Sequence, residues 1–516
     1  MTDIAHAPHS IKGPPPGAPI SVPFGPRLLT GVIGVLVAAI MSGLNNRVGA
    51  LALGDVRGVM GLGVDDGRWL TTVYTAAELV AMPISSWFAG TFSFRRYHMG
   101  IVVAFVVIGI VLPFVPNYGA VLALRALQGL VGGAMIPLLM GAALRFFPTS
   151  VRLYGLALYS LTATFAPNVA LWLAALWTDQ LFDWRFVYWQ ILPLAAFSLW
   201  AVWWGIPQDP VRLDRFKHFD LLGLLAGAAS LSMVVIAFDQ GERLDWFNSA
   251  LITWLLLGAA GLFLVFLVSE WFHPVPFVKL QLLERRNLWL AFIIFVAMLI
   301  VLLSGSLLPA DELIHVHGFR SLQIAPIGLA ISLPQIVLAP FAAFLLYQKW
   351  VDARRLMAFG LLLLAASCFL GANVTSEWIV TQFWVAQAFQ AVGQPLAIVS
   401  MLFVATSAVV PMEGPLVSGL VNMLRAFGTI IGSTGIATFL THRTAAHERA
   451  LVDRAGRIGF DPSADLAGRI GHEAFTLAIA DSYRALGLLA LLLVPLTFFL
   501  FHTPPPVVPP RESKGA

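Results

Sequence analysis

Two ionisable residues inside apolar segments carry the clearest chemical signal of this chain. Glu78 lies in YTAAELVAMP, and Arg125 lies in LRALQGLVGGAMIP. A charged side chain within a membrane span is costly, so such residues mark ion or substrate pathways. A carboxyl in a low-dielectric cavity could bind and release a proton near neutral pH. The guanidinium stays charged, so it could only tune a nearby acid or hold an anionic group.

Two structural interpretations of the same residues stay open. Glu78 could lie at the wall of a water-filled cavity, or it could form a permanent ion pair with Arg125. Gln128, one turn after Arg125, would support the guanidinium by hydrogen bonding.

Composition indicates a protein whose solvent is lipid. The chain is 59% hydrophobic and 11% charged, and its mean hydropathy is +0.83, whereas soluble domains carry roughly 25% charged residues. The single cysteine, Cys368, excludes disulfides and cysteine-based metal sites. A net charge of +4 spread among loops gives no indication of nucleic-acid binding. The sequence has no phosphate-binding P-loop, so ATP-driven activity would need a separate subunit.

Apolar runs predict an all-α integral membrane protein with fourteen spans. Their approximate limits are 28–46, 69–91, 98–115, 118–143, 152–177, 185–206, 220–239, 249–271, 288–310, 322–346, 354–373, 378–407, 415–441 and 482–502. Basic residues concentrate in the loops on the side of the two tails, which predicts that both termini are cytoplasmic. They include Arg95, Arg96, Arg145, Arg152, Arg212, Arg215, Lys217, Arg285, Arg286, Lys349, Arg354 and Arg355.

An internal repeat organises these spans. Leu124–Pro137 is echoed by QAFQAVGQPLAI at Gln387–Ile398, and Gln128 falls on Gln390 at an offset of 262 residues. A six-helix half occupies about 180–200 residues at roughly 20–25 per span plus connections. The offset of 262 residues exceeds this length by about two helices. We therefore predict six helices, then two inserted helices, then six more helices. Parallel repeats of this kind build many transporters, whose substrate path lies between the halves.

This plan predicts five segments. Residues 1–27 form a disordered cytoplasmic tail, 28–206 the N-terminal six-helix bundle, and 207–286 the two inserted helices. Residues 287–502 form the C-terminal six-helix bundle with an outer loop at 442–481, and 503–516 form a cytoplasmic C-terminal tail.

Several segments resemble the fourteen-helix, EmrB-type drug:proton antiporters of the major facilitator superfamily. RALQGLVGGAMIP resembles the fourth-helix motif of the superfamily. FDLLGLLAGAASLSMVVIAFDQGERLDWF at 219–247 resembles the inserted seventh helix, and SGLVNMLRAFGTIIGSTGIATFLTHR resembles the thirteenth helix. WLTTVYTAAELVAMPISSWFAG resembles the second helix. The likeness covers nearly the whole chain after the first tail.

The resemblance implies a major facilitator fold in the bacterial inner membrane and proton-coupled export of small hydrophobic or amphipathic compounds by alternating access. It implies a proton-coupling role for Arg125, and we predict Glu78 as the proton carrier. It also implies a Gram-negative assembly with a periplasmic adaptor (a membrane fusion protein) and an outer-membrane channel, for which the loop 442–481 is a candidate docking surface. We expect no enzymatic activity, cofactor or metal.

Three segments depart from the pattern of these antiporters. The first span ends in LNNRVGALALG, with Asn45 where the family keeps an acid and Arg47 beside it. The fifth span, TATFAPNVALWLAA, keeps Pro167 but has alanines near the expected glycines. The loop GTFSFRRYHMG is basic and lacks the acid of the family's gate motif. These departures keep an alternative open, an importer or uniporter of an organic anion.

The remaining candidate residues have two interpretations each. Arg47 could pair with Asp55 or Asp65 at the outer surface, or it could face the cavity and favour anionic substrates. Arg425, in the thirteenth span, could pair across a gate or contact substrate. We predict six residues at the substrate cavity or its gates, namely Asn45, Arg47, Gln128, Pro167, Gln390 (the repeat of Gln128) and Arg425.

A membrane enzyme or sensor is the remote alternative. The string Asp311-Glu312-x-x-His315-x-His317 could be drawn as a metal site, but a wet loop with acids and histidines is the commoner explanation. An enzyme would cluster histidines or acids on the cytoplasmic face, and a sensor would carry a soluble output domain. The sequence has neither feature.

Overall fold

The computed structural model describes residues 24–407, 409, 413–457 and 464–506, and this part of the chain folds into sixteen α-helices with short 3-10 turns, one π-helical turn at Leu176–Gln180 and no strand. The helices are α1 (Pro26–Leu51), α2 (Leu53–Met60), α3 (Val64–Phe92), α4 (Phe94–Val111), α5 (Tyr118–Phe146), α6 (Arg152–Ala175), α7 (Phe186–Trp189), α8 (Ile191–Gly205), α9 (Leu221–Gly241), α10 (Ala250–Phe272), α11 (Arg286–His317), α12 (Ser321–Leu346), α13 (Ala353–Gly371), α14 (Trp384–Ser407), α15 (Gly414–Arg457) and α16 (Ala464–Phe498).

Thirteen helices of the described chain are long and apolar enough to cross a membrane. The chain is therefore a multi-pass membrane protein. The helix α3 is not among the thirteen although it has 29 residues. It carries Glu78, Tyr74 and several hydroxyl groups in its middle, and these polar groups lower its hydropathy.

Close backbone packing holds α3 inside the protein. A Cβ atom at Gly129 of α5 would run into the backbone of Tyr74, and one at Gly133 would run into the backbone of Glu78. Glycines spaced by four residues let two membrane helices approach in this way. The glycine-rich repeat of α5 thus fixes the position of the helix that carries Glu78.

Several elements differ from the predicted spans. The helix α2 lies in a segment predicted as a loop, and α11 continues to His317 rather than ending near residue 310. The predicted outer loop 442–481 does not differ in this way: its sequence is helix-prone and predicts an extension of the two flanking spans, and α15 runs to Arg457 while α16 begins at Ala464. Most of the two predicted tails lies outside the described residues.

The ends of the helices meet at two faces. Arg27 at the start of α1 donates to the carbonyl of Trp204 at the end of α8 over 2.7 Å. Arg354 at the start of α13 donates to the carbonyl of Leu500, just after α16, over 3.2 Å. The face with the start of α1 and the end of α16 is called the tail face, and the opposite face is called the loop face.

The helices form two bundles and an inserted hairpin. The N bundle comprises α1–α8, in which α3 packs on α5 and α1 packs on α8. The C bundle comprises α11–α16, in which α13 packs on α14 and α16. The hairpin α9–α10 packs on α3 through α9. Inside the hairpin, Ser230 donates to the carbonyl of Ala259 over 3.0 Å.

The interface between the bundles is tightly packed near the tail face. Ser418 of α15 donates to the carbonyl of Pro137 in α5 over 2.6 Å. The Tyr347 hydroxyl donates to the carbonyl of Thr149 over 2.9 Å and accepts from the backbone N–H of Leu153 over 3.1 Å. These bonds join the two bundles below the cavity described next, so the tail-face side of the interface is closed.

Candidate functional site

A cavity of about 130 Å³ lies between the two bundles. Its walls come from α1, α3 and α6 of the N bundle and from α11 and α15 of the C bundle. The lining side chains include three charged groups, and the rest are small polar or apolar residues. The lining residues are Gly43, Asn46, Arg47, Thr75, Glu78, Met82, Thr162, Ala163, Ala166, Pro167, Leu299, Arg425, Ala426, Thr429 and Ile430.

Glu78 is the one carboxylate of this lining. Its side chain is 7% exposed, and its Oε2 accepts a hydrogen bond from Asn46 Nδ2 over 2.6 Å. This bond joins α3 to α1 across the cavity wall. No ion pair of Glu78 occurs within the described residues, and the two guanidinium groups of the lining share the cavity with it. The site therefore balances one carboxylate against two cations.

Arg47 lies in the cavity wall rather than at the outer surface. Asp65, one of the two acids considered as its partner, instead pairs with Arg243 over 3.2 Å. Asn46 rather than Asn45 lines the cavity. Asn45 is 1% exposed and lies behind the wall near Tyr74.

Arg125 is buried behind α3 and does not line the cavity. It is 1% exposed, its Nη1 donates to Gln128 Oε1 over 2.8 Å, and its Nε donates to the carbonyl of Leu70 over 3.3 Å. Its guanidinium carbon lies 4.4 Å from the ring centre of Tyr74 and 5.6 Å from that of Tyr188, which is within cation–π range. The permanent Glu78–Arg125 ion pair considered above is not formed. Arg125 instead contacts α3 one turn before Glu78.

Arg425 connects the two bundles at the cavity. Its Nη1 donates to Thr162 Oγ1 of α6 over 2.6 Å. One turn closer to the tail face, the Tyr159 hydroxyl donates to Asn422 Oδ1 over 2.8 Å. Arg425 thus lines the cavity and also bonds across the interface. Pro167 lies in the same wall of α6.

Gln390 lies outside the cavity, in a chain of buried amides within the C bundle. Its Nε2 donates to Ser304 Oγ over 2.9 Å, and its Oε1 accepts from Gln394 over 3.0 Å. Gln394 Oε1 accepts from Gln335 over 2.7 Å, and Gln387 donates to the carbonyl of Gly305 over 2.9 Å. This network joins α11, α12 and α14, and it carries no charge.

The string around Asp311 is helical rather than a wet loop. It occupies the last turns of α11, and the described residues hold no cluster of three or more histidines, cysteines or acids suited to a metal. Glu312 is 0% exposed and accepts a hydrogen bond from Thr476 over 2.6 Å. His317 bonds with the carbonyl of Trp378 over 2.9 Å. These residues tie α11 to α16 and to the segment before α14.

Sequence reasoning missed several residues of this site. Asn46, Thr162 and Asn422 were not singled out, because each is an uncharged polar residue within a long apolar run. Of the three, only Asn422 carries a signal, because it precedes Arg425 by three residues and so shares a helix face with a charged residue that was singled out.

Two helical bundles with a polar cavity between them define a class of membrane protein, the transporters that connect two compartments. Comparison with known proteins specifies that class. Residues 35–310 match the family model of the Major Facilitator Superfamily. The chain belongs to this superfamily of transporters.

Known relatives extend over most of the chain. It is similar to the multidrug export protein EmrB of Escherichia coli K12, at 24% identity over 85% of each chain. It is also similar to the fatty acid resistance protein FarB of Neisseria gonorrhoeae, at 23% identity over 80% of each chain. Among solved structures, the human organic anion transporter MFSD10 matches with a TM-score of 0.55 and 14% identity, over 90% of this chain and 100% of that one. The last match supports the fold alone.

Proposed function

We propose that this protein is a proton-coupled exporter of small hydrophobic or amphipathic compounds in the bacterial inner membrane. The observation that carries the proposal is a single buried carboxylate, Glu78, facing two arginines in a cavity between the bundles. Relatives named for multidrug export and for fatty acid resistance support export of such compounds.

The proposal includes fourteen membrane spans, with α3 added to the thirteen apolar helices. The helix α3 is long enough to span, and its polar middle is covered by α5 and by the cavity rather than by lipid. Polar residues in membrane helices face the interior in this way. An even number of spans brings both termini to one side, and the basic loops on the tail face favour the cytoplasm for that side.

Protonation of Glu78 would change the balance of charge in the cavity. The ionised carboxylate attracts both Arg47 of the N bundle and Arg425 of the C bundle, and so favours the closed cavity. The protonated form leaves two like charges on opposite bundles, which favours their separation. A pair of charges at a partly buried site interacts by several kcal/mol. This is comparable with the roughly 5.5 kcal/mol that shifts a two-state population from 1:99 to 99:1.

Substrate would bind in a wider form of the same cavity. Ligand pockets usually hold roughly 300–1,000 Å³, whereas this cavity holds about 130 Å³. Widening requires the Arg425–Thr162 and Tyr159–Asn422 bonds to break, which couples substrate binding to movement of the bundles. Met82, Leu299 and Ile430 would contact apolar parts of the substrate.

The long hairpin of α15 and α16 is the proposed contact for a periplasmic adaptor, which would pass substrate to an outer-membrane channel. These helices have 44 and 35 residues, far more than the roughly 20 that a span needs. Shortening the hairpin should abolish export by cells while leaving transport by the purified protein intact. Unchanged export after shortening would discard this contact.

A second candidate function is uptake or facilitated passage of an organic anion. The two cavity arginines favour it, because guanidinium groups bind carboxylates and phosphates with two hydrogen bonds each. Inverted membrane vesicles distinguish the two functions. An exporter accumulates a fluorescent hydrophobic dye in them when a proton gradient is applied, whereas an anion importer does not.

The test of the leading proposal is dye accumulation with and without an uncoupler, in wild type and in Glu78→Gln. We expect the uncoupler and the substitution to abolish accumulation alike. Proton-dependent accumulation that survives in Glu78→Gln would refute the role of Glu78. Accumulation that is insensitive to the uncoupler would refute proton coupling.

A further inference from the structure

A groove on the outside of the N bundle has no role in the proposed transport cycle. It has a volume of about 540 Å³ and lies at the tail face, between the start of α4 and the linker that leads to the inserted hairpin. Apolar side chains and one glycine form most of its lining. They are Phe92, Tyr97, Gly100, Ile101, Val211 and Leu213.

The linker that forms one wall is held in place by polar contacts with the turn between α3 and α4. The backbone N–H of Arg212 donates to the carbonyl of Thr91 over 2.8 Å, and Gln208 donates to Ser93 Oγ over 2.9 Å. The groove is therefore bounded by fixed backbone on both sides.

Arg96 completes the lining and makes the groove cationic at one end. Its side chain is exposed, and within the described chain it forms no hydrogen bond or ion pair. The acids of the linker are already engaged, Asp209 with Arg145 over 2.7 Å and Asp214 with Lys217 over 3.0 Å. The neighbouring Arg95 lies 5.7 Å from the ring centre of Trp203. Arg96 is thus available to an anion from outside the protein.

The apolar floor continues along α4 away from the tail face. Gly100 is exposed, and Val103, Val107 and Ile110 follow it at helical spacing with exposures of 48%, 53% and 41%. Residues three and four apart share one face of a helix. This face of α4 looks out of the bundle, where the hydrocarbon chains of the bilayer lie.

We propose that this groove binds an anionic phospholipid. The headgroup phosphate pairs with Arg96, and an acyl chain lies over Gly100 and along the exposed face of α4. A soluble phosphate could use Arg96 but not the apolar floor, whereas a phospholipid uses both. Basic residues at the membrane surface bind anionic headgroups, at roughly 1 kcal/mol each. The bound lipid would hold the linker of the inserted hairpin against α4.

The C bundle offers a matched control. The helix α13 begins with Ala353-Arg354-Arg355, as α4 begins with Phe94-Arg95-Arg96. Four residues after the second arginine, α13 has Phe359, which is 52% exposed, and α4 has Gly100. A Cβ atom at Gly100 would meet no atom within 4 Å, so the backbone there has room for a side chain, and Gly100→Phe is designed to occupy the groove.

The experiment measures lipid retention by the purified full chain in a neutral detergent. Phosphatidylglycerol or phosphatidylcholine is added, and bound lipid is counted by native mass spectrometry. We expect wild type to retain phosphatidylglycerol in preference to phosphatidylcholine. We expect roughly fivefold weaker retention in Arg96→Gln, which corresponds to about 1 kcal/mol, and a comparable loss in Gly100→Phe. Arg355→Gln should behave as wild type.

Each outcome bears on the proposal. Equal retention of the two lipids, or an equal effect of Arg355→Gln and Arg96→Gln, would overturn it in favour of a general surface charge. Glycerol phosphate competing as well as phosphatidylglycerol would overturn the role of the acyl chain. If Gly100→Phe does not fold, Arg96→Gln alone decides the outcome, because that exposed side chain has no partner within the described chain to lose.

Discussion

The two bundles stabilise their buried polar groups in different ways. In the N bundle, Arg125 is held by one glutamine, one carbonyl group and two aromatic rings. In the C bundle, the repeated segment supplies Gln387 and Gln390 to a network of neutral amides. A buried charge responds to any change of charge nearby, whereas a neutral network responds little. Under the proposed function, the proton would bind in the N bundle, and the neutral network would hold the C bundle rigid around Arg425.

Replacing one buried glutamate of each bundle by glutamine should give the largest difference in transport between the two bundles. Glu78→Gln should abolish uncoupler-sensitive dye transport, because the cavity loses the one carboxylate among its described lining residues and keeps both arginines. Glu312→Gln is the control, since Glu312 is also buried but bonds to Thr476 between α11 and α16. We expect it to retain transport. Equal loss in both variants would show that the bundles do not differ in this way.

The next test replaces the buried charge of the N bundle with the neutral residue that the C bundle has at the repeated position. Arg125→Gln reproduces the residue found at Gln387, and it should weaken proton coupling by about 2- to 30-fold, the range for residues that couple sites. Gln390→Ala is its counterpart. It should lower stability by about 1–3 kcal/mol through unpaired amides, with coupling preserved. Transport as a function of the proton gradient, together with thermal unfolding of both variants, checks the pair.

The difference between the bundles was only partly predictable from the sequence. The amino-acid sequence shows the repeat, its substitution of glutamine for arginine, and the inserted helices. The rotation of each helix is not, because runs such as the fourth span are apolar on all sides. The choice of Asn46 over Asn45 for the cavity, and the placement of Arg125 behind α3, depend on that rotation. The helical continuation of α11 past residue 310 was hidden by its acids and histidines, which resemble a loop.

A smaller effect is expected at the bond between the bundles. Thr162→Val removes the acceptor of the Arg425 hydrogen bond, and bonds to charged groups contribute about 1.5–3 kcal/mol. The closed cavity should become less populated, so dye binding to the purified protein should tighten by roughly tenfold. Thr164→Val is the matched control, because Thr164 bonds to Ser160 within its own helix. Comparable tightening in the two variants would contradict a role for the inter-bundle bond.

The smallest effect concerns the tail face of the C bundle, where Asp352 begins α13. Burial disfavours its charged form, but the hydrogen bonds and charge of Arg354, together with a hydrogen bond from His502 over 3.2 Å, outweigh burial and lower the pKa of Asp352 to about 2. A depressed pKa adds stability that is present above the ordinary value of 3.8 and is lost as the pH falls through about 2. Asp352→Asn should therefore lower the unfolding midpoint at pH 8, and this effect should diminish as the pH falls towards 2, where the wild-type carboxylate is itself protonated.

The exposed Asp214, paired with Lys217, provides the comparison for this measurement. Asp214→Asn should leave the midpoint unchanged, as is usual for surface ion pairs. A destabilisation by Asp352→Asn that is as large near pH 2 as at pH 8 would contradict the lowered pKa of Asp352.

The helix α15 extends far beyond the cavity whose wall it forms. Arg425 and the end of the helix at Arg457 belong to one continuous helix, and they are separated by roughly 48 Å at 1.5 Å per residue. A lever of this length amplifies small rotations, so a tilt of about 10° near the cavity would displace the far end by roughly 8 Å. A tilt of α15 near the cavity would therefore move a partner bound at its far end, without any change in secondary structure along the helix.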